Sequence, residues 1–116
     1  MTGRAPYFVP WIGADYGAGD ERLLILGESH YGPPTMAPES TRLYTQGYVD
    51  GENHRFWTNV MQTIQGEPAG SIDRAAFWAR VAFYNFVQQP VAETAGVAPT
   101  PAMFAAANEP FFTVLA

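Results

Sequence analysis

The sequence predicts an α/β fold with a parallel sheet, and three features of the chain point to it. Two short apolar runs, "RLLIL" at 22–26 and "VAFYNFV" at 81–87, have the length and composition of strands covered on both faces. Stretches with helical spacing lie between these runs, and another follows the second run. This order of strand, helices, strand and helix is typical of parallel strands joined by a right-handed crossover.

Composition places the chain among small globular proteins. Its 116 residues are 47% hydrophobic and 15% charged, which favours a single domain, 1–116, with a modest core. The formal charge of −5 gives no general attraction to nucleic acid or to an anionic membrane. The lack of cysteine excludes disulfides and thiolate-held metals. Because neither a secretory signal nor a membrane-spanning run is visible, we expect a cytoplasmic protein with no membrane partner.

The segments around the apolar runs are predicted from their turn-forming residues. Residues 1–20 are rich in Gly, Pro and aromatic side chains and are interpreted as an irregular N-terminal strap. Residues 32–52 are predicted to form a long loop, a feature that in compact domains is often functional. Residues 88–100 form a second predicted loop, rich in Pro, Gly and Thr.

The first predicted helix begins near Asn53 and stops at Gly66. Its apolar residues recur with helical spacing, and core packing is their expected role. They are Phe56, Val60 and Ile64 on one stripe, with Trp57 and Met61 beside it.

Two further helices are predicted from their N-terminal caps. A short one, capped by Ser71 or Asp73, leads through Arg80 into the second strand, with Phe77 and Trp78 in the core. The last begins with Thr100 as its cap and Pro101 in its first turn. Pro110 is expected to kink or split this helix. Its predicted inward residues are Phe104, Phe111 and Leu115. The chain ends where another strand is expected, so we expect a fragment that is incomplete at its C-terminus.

Polar residues gather where the two predicted strands end. Asn85 lies near the carboxyl end of the second strand, and the first strand is followed by Gly27, Glu28, Ser29, His30 and Tyr31. Ligands of open parallel sheets bind beyond the carboxyl ends of the strands, so these residues are expected to converge on one rim. There a carboxylate can orient or deprotonate a water, and an amide offers both a donor and an acceptor.

Each of these residues also has a structural interpretation. Glu28 could cap backbone amides in the turn, and His30 could be a surface-loop histidine. Tyr31 could pack under the loop prolines, and Asn85 could hydrogen-bond a neighbouring loop, since a buried amide needs partners. A metal site is a further alternative, although the spacing is unspecific. Its ligands would be Glu28, His30, Glu52 and His54, of which the last two are otherwise expected at a solvated helix start.

Three segments resemble the amino-terminal two-thirds of the uracil-DNA glycosylase-like superfamily: "LLILGESHYG", "FWARVAFYNFVQQPV" and "PTPAMFAAANEPFFTVL". Within that superfamily the resemblance is to a group with "LGESHY" and "YNFVQ.PV" segments, and it covers residues 22–116. It implies a three-layer α/β sandwich with a parallel sheet. It also implies hydrolysis of the N-glycosidic bond of a damaged or deaminated base in DNA, as in base-excision repair, without a metal or organic cofactor.

The resemblance carries roles onto individual residues. In other branches of the superfamily the first strand ends in "GQDPYH" or "GEAPG", and Gly27 matches the first glycine of both. Glu28 matches a glutamate implicated in catalysis, and Tyr31 matches the tyrosine that shapes the base pocket. Asn85 matches the asparagine that reads the uracil edge. Ser29 stands where "GQDPYH" has its water-activating aspartate.

The resemblance leaves two family features without an assigned residue. The late histidine motif, which stabilises the departing base, is expected beyond Ala116. The aromatic residue that stacks on the base has two candidates, Tyr48 and Phe56.

Three functions are therefore open, beside the case of a truncated product that has none. The first is a glycosylase acting on DNA or a nucleobase, with Glu28 and His30 as catalytic residues and with Gly27, Ser29, Tyr31 and Asn85 binding the substrate. The second is a nucleotide or nucleic-acid binding module that keeps the pocket without the chemistry. The third is another hydrolase that depends on Glu28 and His30.

Overall fold

A three-stranded mixed sheet organises the protein in a computed structural model, which describes residues 5–116. The strand order is β1-β3-β2, and four helices accompany the sheet. In chain order the elements are β1 (Trp11–Ile12), β2 (Leu23–Gly27), α1 (Ser40–Val49), α2 (Arg55–Gln65), a short 3₁₀ helix (Ala69–Ser71), α3 (Arg74–Ala79), β3 (Val81–Asn85) and α4 (Pro101–Leu115). The predicted α/β class is therefore confirmed, whereas the prediction of a parallel sheet is only partly correct, because β1 pairs with β3 in antiparallel orientation.

The two predicted strands pair in parallel, as expected. Leu23 lies opposite Val81 at one end of the pair, and Gly27 lies opposite Asn85 at the other. Every residue of β3 is buried, which explains why its sequence is almost uninterrupted in apolar character. β3 is two residues shorter than the predicted run. Backbone pairing nevertheless continues past it, because the amide of Phe86 donates to the carbonyl of Gly27 at 2.9 Å.

The N-terminal segment is more regular than the predicted strap. Within it, β1 pairs with β3 in antiparallel orientation, with Trp11 opposite Phe83. The amide of Gly13 then donates to the carbonyl of Val81 at 2.9 Å. This approach depends on glycine, since a Cβ at position 13 would lie 2.2 Å from the carbonyl oxygen of Ala79. Residues 1–4 of the predicted strap lie outside the described residues.

The prediction of one long loop at 32–52 is wrong, because α1 occupies much of it. The buried positions of this helix are Ser40, Thr41, Thr45 and Tyr48, so three of the four carry hydroxyl groups on short side chains. The hydroxyl of Thr45 donates to the carbonyl of Thr41 at 2.8 Å and is satisfied within the helix. A buried face of this composition produces no apolar periodicity.

The predicted helix before Gly66 is confirmed as α2, but its orientation differs from the prediction. Trp57 and Met61 are buried, whereas Phe56 and Ile64 are each 44% exposed. The Trp57 ring lies 5.7 Å from that of Phe83. The helix thus turns Trp57 and Met61 toward the sheet, and not Phe56 and Ile64.

Both predicted capped helices are present. Asp73, and not Ser71, caps α3, since its carboxylate accepts a hydrogen bond from the amide of Ala76 at 3.1 Å. In α4 the hydroxyl of Thr100 accepts from the amide of Met103 at 3.2 Å.

Of the two effects predicted for Pro110, a split of α4 is wrong, because the helix continues through it to Leu115, and a kink stays a prediction. The buried positions of α4 are Ala107 and Pro110. The inward orientation predicted for Phe104 and Leu115 is also wrong, since they are 39% and 57% exposed. A buried proline is therefore part of the packed face.

Aromatic side chains dominate the core. Phe83 contacts Trp57 and Trp78, whereas the next residue of β3, Tyr84, stacks against Phe111 of α4 with ring centroids 6.3 Å apart. Successive residues of a strand point to opposite faces, so β3 buries apolar surface on both sides of the sheet. Within residues 5–116, no helix is long and apolar enough to cross a membrane.

We expect Gly13→Ala to destabilise the fold, because the added methyl group would overlap the backbone of α3. A loss of about 1–3 kcal/mol is typical of overpacking. Urea denaturation measures the change in the free energy of unfolding. Gly70→Ala is the matched control, since a Cβ there meets nothing within 4 Å. Equal stability of the two variants would contradict the close approach at Gly13.

Candidate functional site

A cavity of about 520 Å³ opens at the carboxyl ends of β2 and β3. Its volume lies within the range of small-molecule sites, about 300–1,000 Å³. The structure brings all six residues predicted from the sequence to its wall: Gly27, Glu28, Ser29, His30, Tyr31 and Asn85. Their convergence follows from the parallel pairing, which ends both strands at the same edge.

The loop after β2 is held by the loop after β3. The amide of Val91 donates to the carbonyl of His30 at 3.1 Å, and the amide of Gly32 donates to the carbonyl of Ala92 at 2.9 Å. The hydroxyl of Tyr31 donates to the carbonyl of Val97 at 2.6 Å. Tyr31 is therefore anchored by a hydrogen bond to the second loop.

His30 is buried, so its interpretation as a surface-loop histidine is wrong. It is 6% exposed and lies between the rings of Phe8 and Tyr44, at 4.6 and 5.9 Å between centroids. Its Nε2 lies 2.7 Å from the hydroxyl of Thr41 and 3.2 Å from Nδ2 of Asn85. Burial lowers the pKa of His30 from 6.5 to about 4, so the imidazole is neutral at pH 7.

Asn85 and Gly27 are in close contact at the end of the paired strands. A Cβ at position 27 would lie 2.2 Å from Oδ1 of Asn85 and 3.0 Å from Cζ of Phe83. Glycine at this position therefore makes room for the Asn85 amide. The expected hydrogen bond from Asn85 to a neighbouring loop is also present, since its Nδ2 reaches His30.

Glu28 is exposed at the cavity rim. One carboxylate oxygen, Oε1, accepts a hydrogen bond from the hydroxyl of Ser29 at 3.2 Å. Across residues 5–116, no backbone amide donates to this carboxylate, so the structural interpretation of Glu28 as a turn cap gains no support. The carboxylate is free to meet a water or a ligand in the cavity.

The wall facing the strand ends was predicted only in part. The resemblance offered Tyr48 and Phe56 as stacking candidates and the metal alternative included Glu52 and His54, whereas Tyr44 and Trp57 were not expected at the site. The wall is formed by α1, the following turn and the start of α2, and its side chains include Tyr44, Tyr48, Glu52, His54, Phe56 and Trp57. No spacing pattern links these residues to the strand ends, since the turn of the chain after α1 brings them there. The exposure of Phe56 could be found only once the orientation of α2 was known.

Arg74 fixes the turn that carries this wall. Its guanidinium donates to the carbonyls of Tyr48 and Glu52, at 2.7 and 3.1 Å, and lies 4.1 Å from the centroid of the Tyr48 ring. This contact combines hydrogen bonds to the end of α1 with a cation–π interaction. The His54 ring lies on that of Trp57, 4.2 Å between centroids.

The predicted metal ligands line one cavity without forming a metal centre. Glu28, His30, Glu52 and His54 are all at its wall. Among the side chains of residues 5–116, however, no group of three or more His, Cys, Asp or Glu is placed to hold a metal ion. The Nε2 atom of His30 is already engaged by Thr41 and Asn85.

A larger cavity, about 730 Å³, lies at the opposite end of the strands. Leu23 and Val81, the first residues of β2 and β3, line it together with the charged side chains of Asp15, Asp20, Glu21 and Arg80. The six residues predicted from the sequence, called the motif residues below, do not line this cavity. We therefore take the smaller cavity, with its buried polar groups, as the functional candidate.

The fold and the smaller cavity define a mixed α/β domain with an aromatic-lined polar site where its parallel strands end. Comparison of the chain with protein-family models, with curated proteins and with solved structures finds no match.

We expect the buried neutral His30 to make the stability of the protein depend on pH. Below pH 6.5 the unfolded chain binds a proton at this histidine, whereas the folded chain does so only near pH 4. The unfolded state thus binds more protons between pH 6.5 and about pH 4. The stabilising contribution of the neutral His30 is therefore fully present above this window and is lost as the pH falls through it. The loss at pH 4 amounts to about 3 kcal/mol.

Urea denaturation between pH 7 and pH 4 measures this dependence. The quantity of interest is the difference between the wild type and His30→Gln, because carboxylates titrate in both proteins. His54→Gln controls for the loss of an exposed histidine. If the wild type and His30→Gln lose stability in parallel, His30 is not a buried neutral imidazole.

Gly27→Ala should displace the Asn85 amide, because the new methyl group would occupy the position of Oδ1. We expect a stability loss of about 1–3 kcal/mol and a shift of the Asn85 side-chain NH₂ resonances. Thermal melts and ¹H–¹⁵N spectra measure the two effects. Gly19→Ala is the control, since a Cβ there meets nothing within 4 Å. Unchanged Asn85 resonances in Gly27→Ala would contradict the contact.

Proposed function

We propose that this chain is a uracil-DNA glycosylase-like protein that hydrolyses the N-glycosidic bond of a damaged or deaminated base in DNA. The observation that supports it most is that all six motif residues line one cavity. We further propose that the fold is the three-layer sandwich of that superfamily. The contacts of Phe83 with α2 and of Tyr84 with α4, on opposite faces of the sheet, are consistent with it.

The cavity wall suits a flat heterocycle. Tyr31, Tyr44 and Trp57 supply aromatic surface, and Asn85 supplies an amide at the rim of the sheet. Phe56 is the better candidate for stacking on the base, because it is 44% exposed at the cavity. Tyr48 is fully buried, and its hydroxyl is hydrogen-bonded to Thr58 at 2.7 Å, so it belongs to the floor.

Glu28 is the proposed catalytic carboxylate. In the proposed reaction the oxygen of a water bonds to the anomeric carbon while the carbon–nitrogen bond breaks and the base takes the electron pair. Glu28 stabilises the positive charge that develops on the sugar, and it receives the proton that the water loses. That proton then passes to the departing base, and the products are a free base and an abasic site.

Single-stranded DNA is the preferred substrate in this proposal. A base must leave its stack to enter the cavity, and this step costs least where the base is unpaired. The net charge of −5 also argues against tight binding of a long duplex.

Release of a free base from single-stranded oligonucleotides containing deoxyuridine or deoxyinosine tests the proposal. We expect Glu28→Gln to lower the rate by roughly 10²–10⁴-fold, the usual contribution of a general base. Abasic sites are counted after alkaline cleavage of the strand. Glu67→Gln is the matched control, since this exposed glutamate lies outside the cavity.

The outcomes separate the three functions left open by the sequence. Release that survives in Glu28→Gln would remove this carboxylate from the mechanism. Nucleobase binding without release by the wild type would favour the binding module. Neither binding nor release of any base would overturn the proposed function.

A further inference from the structure

The side chain of His30 makes two hydrogen bonds with the same nitrogen. Its Nε2 lies 2.7 Å from Oγ1 of Thr41 on α1 and 3.2 Å from Nδ2 of Asn85 on β3. His30, Thr41 and Asn85 are all buried, at 6%, 1% and 7% exposure. Three polar residues from three parts of the chain thus form one buried network.

The chemistry of the partners fixes the protonation of this nitrogen. An amide NH₂ group can only donate, so Nε2 must accept the hydrogen bond from Asn85 and carries no proton. The hydroxyl of Thr41 then also donates to Nε2, and the two donors share its single lone pair in a three-centre hydrogen bond, with Thr41 the closer partner. The imidazole is therefore neutral, with its proton on Nδ1, in agreement with its burial between the rings of Phe8 and Tyr44.

The same network fixes the orientation of the Asn85 amide. With Nδ2 turned to His30, the carbonyl oxygen Oδ1 lies beside Gly27, at the cavity wall. Within residues 5–116, no group donates a hydrogen bond to Oδ1. This oxygen is not among the fully buried polar atoms that lack a partner in residues 5–116, so it is reachable from the cavity and can accept a hydrogen bond from a ligand.

We infer that His30, held by Thr41, is a positioning residue that turns the Asn85 amide so that the cavity presents Oδ1 as an acceptor to a ligand edge carrying an N–H group. This inference rests on the proposed function for the nature of the ligand, but the orientation of the amide stands apart from it. A heterocycle with a ring N–H completes the network. A heterocycle whose ring nitrogen carries no proton at the same place cannot donate to Oδ1, so two hydrogen-bond acceptors would then be in contact.

Nuclear magnetic resonance tests the orientation directly in the wild-type protein at neutral pH. We expect the chemical shift of Nε2 of His30 to be that of an unprotonated ring nitrogen. The ring nitrogens of His54 supply reference signals in the same spectrum. We also expect a scalar coupling across the hydrogen bond between Nδ2 of Asn85 and Nε2 of His30. A protonated Nε2, or the absence of the coupling in a well-resolved spectrum, overturns the inference whatever the protein does to DNA.

Binding of two matched bases tests the role of this orientation. The probes are 1-methyluracil, which has a ring N–H, and 1-methylcytosine, which has a bare nitrogen at that position. We expect the wild type to prefer 1-methyluracil on the order of tenfold or more, because the other base leaves an unsatisfied contact. In His30→Leu the preference should fall toward parity, since nothing then orients the amide.

Variants at Thr41 keep the test valid if His30→Leu does not fold. Thr41→Val removes the hydroxyl and should reduce the preference several-fold, whereas Thr41→Ser keeps the hydroxyl and should retain it. Equal binding of the two bases by the wild type, or an unchanged preference in folded His30→Leu, overturns the positioning role. If the scalar coupling between Asn85 and His30 is observed but neither base binds, the proposed function and the ligand class are overturned. The orientation of the Asn85 amide is then the only part of the inference that stands.

Discussion

The cavity depends on the parallel hydrogen bonding of β2 and β3, which fixes the relative position of the side chains at the strand ends. The pairing aligns Gly27 with Asn85 and continues through the amides of Phe86 and Val87 to the carbonyls of Gly27 and Glu28. A shift of one residue would turn Asn85 to the other face of the sheet, away from His30. The apolar cores on both faces of β3 resist such a shift, because they would lose their contacts with the helices.

Burial restricts the polar side chains of the site to one arrangement. His30 and Asn85 lie in surroundings where an unsatisfied group is costly, so their hydrogen bonds select a single arrangement. α1 contributes Thr41 to this arrangement, and that explains why a helix with so few apolar residues is well packed. Its buried face joins the polar network through Thr41 and the aromatic core through Tyr48.

The sequence predicted the elements whose signals are local. The apolar runs of β2 and β3, the stop of α2 before Gly66 and the caps Asp73 and Thr100 act through residues near them in the chain. β1 could not be predicted in this way, because a strand of two residues depends on its partner. α1 was missed because its buried face carries Thr41 and Thr45.

The same distinction applies to the site. The six motif residues lie at strand ends, where a general property of parallel sheets predicts a ligand. The facing wall depends on where the turn held by Arg74 directs the chain and on the orientation of α2. These are tertiary effects, and neither the exposure of Phe56 nor the burial of His30 has a signal in the surrounding residues.

The contact between Gly27 and Asn85 also limits how this site can change during evolution. A side chain at position 27 overlaps the amide at position 85, so a substitution at 27 costs less stability after residue 85 has become smaller. A smaller residue at 85 in turn removes the partner of His30. Substitutions at the two positions are therefore not additive, and their order matters. A side chain at position 27 of a relative would therefore indicate that residue 85 no longer places an amide oxygen beside it.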